Sequence, residues 1–206
     1  MGKIIQFPAK QPPRFGFERV RKRRKENPDQ LTFFSTGLGR ILRLPANINP
    51  FEEALLLDER DDSRAREAYG RAISEGDLAA DAYCNLGIIE SKSGGMTKAF
   101  DCFTKSLQHD PRHFESHYNL GNLYFEVDNI RLARMHYELA AAINPTFPNL
   151  YFNLGLVLAL LEETKAAIDA LVRYQLLTPR EERRNVENLI NELRKSLAMT
   201  GGNTIQ

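Results

Sequence analysis

The triplet Asn-Leu-Gly stands at residues 85–87, 119–121 and 153–155, each copy 34 residues after the one before. A fixed period of this length constrains the fold strongly. Each period is one small supersecondary unit that cannot bury its own apolar face, so copies must stack to make a core.

Aligning the triplets aligns their surroundings. Tyr83, His117 and Tyr151 hold one large ring position, and Leu86, Leu120 and Leu154 precede the glycines. Ala99, Ala133 and Ala167 follow, then Phe103, Tyr137 and Leu171, then Pro111, Pro145 and Pro179. Gly87, Gly121 and Gly155 are expected to let two helices of one hairpin approach closely, with the three alanines facing them, small against small. Each proline ends a second helix, because it cannot donate to the helical ladder and it restrains the residue before it. Gly94-Gly95 and Asp128-Asn129 supply turn chemistry, and Glu162-Glu163 stands at the third turn without it.

This pattern resembles the tetratricopeptide repeat, a helix-turn-helix unit of about 34 residues. The resemblance covers residues 46–180 and implies an all-α, right-handed helical-hairpin solenoid of about four repeats with a C-terminal capping helix. The approximate repeats are 46–79, 80–113, 114–147 and 148–180. The first is degenerate: Ala65 and Tyr69 fit, Leu-Gly is missing, and Asp77 replaces the proline. Val186, Leu189, Ile190, Leu193 and Leu197 form one apolar stripe, which makes residues 181–198 the cap, followed by a flexible tail at 199–206.

Members of this family characteristically bind other proteins through a concave surface lined by the first helix of each repeat. The resemblance places Asn85, Asn119 and Asn153 on that surface, where an amide with two donors and an acceptor matches one peptide unit. A consensus or local hydrogen-bonding role for these asparagines stays open beside the ladder role. If they face a groove and hold a peptide, changing Asn119 and Asn153 together to Ala should leave helicity and melting nearly unchanged. Helical spacing puts Tyr118, Phe152, Ile88, Asn122, Leu156 and Phe125 beside them. Lys and Arg are nearly absent from these positions, so capture of a C-terminal carboxylate is disfavoured.

Residues 1–43 hold 11 Lys/Arg against 3 Asp/Glu, whereas residues 44–206 hold 17 against 24, a basic arm on an acidic body. Arg19, Arg21, Lys22, Arg23, Arg24 and Lys25 crowd one stretch of the arm, which spans residues 1–45 and is expected to be partly extended or disordered. Such a run can be a solvated flexible arm, attract nucleic-acid phosphates, act as a localisation signal, or lie on the acidic surface of the chain's own body or of a partner. Phe33, Phe34, Ile41, Leu42 and Leu44 are expected to dock on the repeats.

No apolar stretch approaches the roughly 18 to 20 residues that cross a bilayer, and the start lacks the apolar run of a secretory signal, so the cytoplasm is expected. Cys84 and Cys102 form no C-x-x-C pair and read as small buried residues. His109, His113 and His117 are spaced four apart, but Pro111 breaks the helical face a metal would need, so structural or surface roles are expected. No phosphate loop, nucleophile elbow or His-Glu zinc motif occurs, and no cofactor is expected. The expected function is a non-enzymatic adaptor that binds an extended protein segment. The alternative is a nucleic-acid-associated protein whose arm contacts phosphates while the repeats recruit a partner.

Overall fold

The computed structural model describes residues 15–21 and 49–201. The chain divides into two compact units, one formed by Arg19–His109 and the other by Met1–Glu18 with Asp110–Gln206. In the first unit, α1 (Pro50–Asp58) pairs with α2 (Ala65–Glu75), and α3 (Ala79–Lys92) pairs with α4 (Met96–His109). In the second, α5 (Phe114–Glu126) pairs with α6 (Ile130–Ile143) and α7 (Pro148–Leu160) with α8 (Thr164–Leu177). A 3-10 turn at Arg180–Glu182 then leads into α9 (Arg184–Gly201), which packs on α8. Among the described residues there is no strand, and the fold is all-α, built from helical-hairpin repeats.

The hairpin turns share one construction. Asp61, Gly94, Asp128 and Glu162 all have positive φ, between 52° and 80°. At each, the next amide reaches back to a carbonyl of the first helix: Asp62 to Leu57, Gly95 to Glu90, Asn129 to Tyr124, and Glu163 to Leu158, at 2.8 to 2.9 Å. Two-step closure of this kind satisfies carbonyls that the helix end leaves without partners. Glu162 therefore performs the turn that its sequence did not advertise, and the degenerate first repeat turns in the same way as the others.

The first atoms that a side chain on each repeat glycine would meet belong to a large residue. A Cβ on Gly87 would lie 2.8 Å from the Phe103 ring, one on Gly121 2.5 Å from the Tyr137 ring, and one on Gly155 2.7 Å from the Leu171 side chain. Small meets large here: the missing side chain makes a seat for the big residue four positions after each alanine, and the expected alanine is a more distant neighbour, with the Ala167 carbonyl 3.4 Å from a Cβ on Gly155. Phe103, Tyr137 and Leu171 are fully buried as a result.

The second helices stop at His109, Ile143 and Leu177, just ahead of Pro111, Pro145 and Pro179, as proline requires. Asp77, lacking that role, accepts a hydrogen bond from the Phe51 amide at 3.0 Å and so ties α1 to the end of α2. On α9, Val186, Leu189, Ile190 and Leu193 are buried, but Leu197 is 43% exposed, so the apolar stripe ends a turn earlier than expected. The helix itself continues to Gly201, past the expected limit at 198.

A ladder of buried asparagines holding residues 15–20

Asn85, Asn119 and Asn153 come from the middle of α3, α5 and α7, and all three are buried to within 1%. Each grips one residue of the segment Phe15-Gly16-Phe17-Glu18-Arg19-Val20 through both halves of its amide. In the second unit, Asn153 Oδ1 accepts from the Phe15 amide at 3.0 Å while its Nδ2 donates to the Phe15 carbonyl at 2.9 Å. Asn119 does the same to Glu18, at 2.8 Å in both directions. In the first unit, Asn85 holds Val20 with distances of 2.9 and 3.0 Å. A primary amide presents a donor and an acceptor side by side, so each rung satisfies the N–H and C=O of one residue without reading its side chain.

The rungs are braced from behind. Tyr137 donates its hydroxyl to Asn122 Oδ1 at 2.6 Å, and Asn122 Nδ2 donates to the Gly16 carbonyl at 2.9 Å. Asn153 Nδ2 also lies 2.9 Å from Asn122 Oδ1 and 3.1 Å from the Tyr118 hydroxyl. In the first unit, Asn85 Nδ2 donates to the Tyr69 hydroxyl at 3.1 Å, and Tyr69 donates onward to Asp58 Oδ2 at 3.2 Å. Fixed orientation is what burial of such amides demands, since an unpaired polar atom there costs about 1–3 kcal/mol. Among the described residues, no buried side-chain nitrogen or oxygen lacks a partner.

Side chains add contacts beside the backbone rungs. The Phe15 ring meets Phe152 edge-on at 5.3 Å between centroids and Tyr174 at 5.9 Å. Arg19 reaches Asp58, Nη2 to Oδ1 at 2.8 Å, and Val20 is 7% exposed. Asp58 is itself buried, and desolvation raises its carboxyl above the ordinary range while the Arg19 guanidinium and the Tyr69 hydroxyl oppose that rise.

The sequence-derived positions thus divide. Asn122, Tyr118 and Phe152 sit directly beside residues 15 and 16. Ile88 and Leu156 are buried in their own units, and Phe125 packs partly buried against the core of the second. Of the basic run, Arg19 is engaged by Asp58 and Arg21 is exposed, whereas Lys22, Arg23, Arg24 and Lys25 lie outside the described residues. So do Phe33, Phe34, Ile41, Leu42 and Leu44. Residues 15–20 hydrogen-bond to the buried asparagines Asn85, Asn119 and Asn153, so replacement by Ala removes bonds that the expected open groove would not contain.

Sequence reasoning missed three groups: residues 15–18 as an occupant of the ladder, Tyr174 beside Phe15, and Asp58. The first repeat hides Asp58 because its turn residue Asp61 precedes Gly94 by 33 positions rather than 34. Counted from the turns, Asp58 is the equivalent of Ser91, Phe125 and Ala159, and all four carbonyls accept from the positive-φ residue of their turn.

The histidines have structural roles. His109 stacks on Tyr83, His113 caps α5 by accepting from the Ser116 amide at 3.1 Å, and His117 lies with Nδ1 3.1 Å from His136 Nδ1. Burial holds His136 down at about 4 and also lowers His117. Cys84 and Cys102 are buried thiols. Among the described residues no helix is long and apolar enough to cross a membrane.

Known proteins carry the same repeat. The sequence model of the tetratricopeptide repeat family matches residues 102–135. Tetratricopeptide repeat protein 8 of Mus musculus is 27% identical over 121 residues, 59% of this chain and 23% of that protein. Anaphase-promoting complex subunit 3 of Schizosaccharomyces pombe is 28% identical over 111 residues, 54% of this chain and 17% of that protein. The chain therefore spans less than a quarter of either relative. Among solved structures, the first TPR of Spaghetti (RPAP3) bound to HSP90 peptide SRMEEVD has 24% identity and a TM-score of 0.53, covering 58% of this chain and 93% of that one. MamA AMB-1 has 22% identity and a TM-score of 0.61, covering 72% and 81%. At these identities the structural likeness is one of fold.

Proposed function

The chain is a tetratricopeptide repeat protein, and we propose that it is a non-enzymatic adaptor whose asparagine ladder holds an extended segment of a partner protein. The observation that carries this reading is the double hydrogen bond from each of Asn85, Asn119 and Asn153 to a single residue of backbone. A packing role alone does not call for three buried amides aimed at a non-helical segment. Residues 15–20 are then a covalently attached stand-in for the partner. A tethered competitor acts at an effective concentration on the order of millimolar, so a partner segment must outbind it or arrive when it is released. The RPAP3 relative of the fold was solved with a peptide, which is consistent with a segment as the ligand class. Nothing in the site favours nucleic acid: Arg19, the one basic-run residue seated there among those described, faces a carboxylate.

Peptide display tests the reading. The bait is the full chain carrying Phe15→Pro, Glu18→Pro and Val20→Pro, which has no N–H at these positions for the rungs to accept, and recovered peptides are re-measured on the same chain carrying Asn119→Ala and Asn153→Ala. Loss of affinity by about 5-fold or more is expected, since each backbone hydrogen bond is worth about 0.5–1.5 kcal/mol. Peptides that bind both forms equally would refute the ladder as the binding element.

A further inference from the structure

The backbone rungs hold any extended sequence, so selectivity must come from side-chain seats. The seat around Asp58 is the most demanding in the first unit. Asp58 is 6% exposed, its Oδ2 accepts from Tyr69, and its Oδ1 meets the Arg19 guanidinium at 2.8 Å. A buried carboxylate left without its cation pays the full cost of desolvation, whereas a guanidinium matches it with a directed, charge-assisted hydrogen bond. The seat is also wired to the ladder: Tyr69 donates to Asp58 and accepts from Asn85, which in turn donates to the Val20 carbonyl. A side chain that satisfies Asp58 therefore keeps Tyr69 and Asn85 oriented for the residue that follows it. Position in the repeat agrees, since Asp58 holds in α1 the place that Ser91 holds in α3, three residues ahead of the left-handed turn residue.

Resting on the proposed peptide-binding role, we propose that Asp58 with Tyr69 is an arginine receptor, and that the partner segment this chain selects carries an arginine followed by an apolar residue. Arg19-Val20 is the chain's own copy of that pair. Among the described residues of the unit, Glu53 and Glu90 pair with Arg71 and Arg66, whereas Asp58 pairs with the seated Arg19.

The test uses the full chain carrying Arg19→Ala together with Phe15→Pro, Glu18→Pro and Val20→Pro, so that its own segment lacks both the cation for the seat and the N–H groups that the rungs accept. The probes are fluorescein-labelled peptides of sequence PRFGFERVR, residues 13–21, together with versions in which the residue matching Arg19 is Ala or Lys. Binding is read by fluorescence polarisation, with circular dichroism as the check on folding. The arginine peptide should bind about 10- to 150-fold tighter than the alanine peptide, the range for hydrogen bonds to charged groups. Lysine should fall between them, because its point charge cannot reproduce the guanidinium geometry. Asp58→Asn, close in shape, should shrink the arginine-alanine gap to a few-fold, and the helical spectrum should stay intact. Equal binding of the arginine and alanine peptides would overturn the arginine receptor while leaving the ladder standing. Failure of every peptide on every form would overturn the ladder reading and the receptor with it. A mass twice that of the chain, abolished by Asp58→Asn, would assign the seat to the arm of a second copy and overturn the partner proposal.

Discussion

Asn119 offers the sharpest energetic prediction, because its two bonds to Glu18 are both 2.8 Å and both end on the segment. Asn119→Ala removes the pair. At about 0.5–1.5 kcal/mol per bond the loss is about 1–3 kcal/mol, offset by a few tenths from the better helix propensity of alanine. A structural asparagine could show the same loss, so the informative quantity is a coupling energy. The substitution is made in the full chain and again in the full chain carrying Glu18→Pro, which has no N–H for Asn119 to accept, and the two costs are compared. The chain has no Trp, so urea unfolding is followed by far-UV circular dichroism. If Asn119 acts on the segment, its replacement costs about 0.5–1.5 kcal/mol more in the native sequence than in the Glu18→Pro chain. A coupling near zero would mean that Asn119 serves the repeat alone, and the ladder account would fail.

The glycines give a contrasting pair: Gly121→Ala, whose Cβ would meet the fully buried Tyr137 ring at 2.5 Å, should lower stability by about 1–3 kcal/mol. Gly70→Ala, exposed on α2 with nothing within 4 Å, should raise it by about 0.5–1 kcal/mol, both by urea midpoint. His136 predicts a pH response: its folded pKa is depressed to about 4 against an ordinary 6.5, so in that window the unfolded chain binds a proton that the folded chain does not. Stability should therefore be fully present above pH 6.5 and fall as pH drops, with a slope below about 1.4 kcal/mol per unit for this half-buried ring. His136→Gln should flatten the fall between pH 7 and pH 5, and an unchanged slope would contradict the assignment.

The sequence carried the architecture because a period of 34 residues leaves its mark at many positions at once: glycines, prolines and large residues all recur. It misjudged the glycine seats because composition shows which residues are small but not which side chain fills the space. Gly155 faces Leu171 while Gly121 faces Tyr137, although both follow the same triplet. Asn85, Asn119 and Asn153 were legible as polar residues with no packing reason to be there. Asp58 was not, because it stands among other acidic residues in a repeat offset by one position, and only burial and the partner Arg19 distinguish it. The seat of Phe15 depends on Tyr174 of α8 and Phe152 of α7, rings brought together by hairpin geometry rather than by sequence spacing.

The central claim is that backbone at Phe15, Glu18 and Val20 is held by buried asparagine amides, and amide hydrogen exchange reads that backbone directly. Each of those three N–H groups donates to an asparagine Oδ1, at 3.0, 2.8 and 2.9 Å. The account predicts that all three exchange slowly in the native chain. Asn153→Ala, Asn119→Ala and Asn85→Ala should each speed exchange most at its own partner, on the order of 5- to 150-fold for a loss of about 1–3 kcal/mol. Exchange of Phe15, Glu18 and Val20 at the rate of an unstructured peptide in the native chain would contradict it.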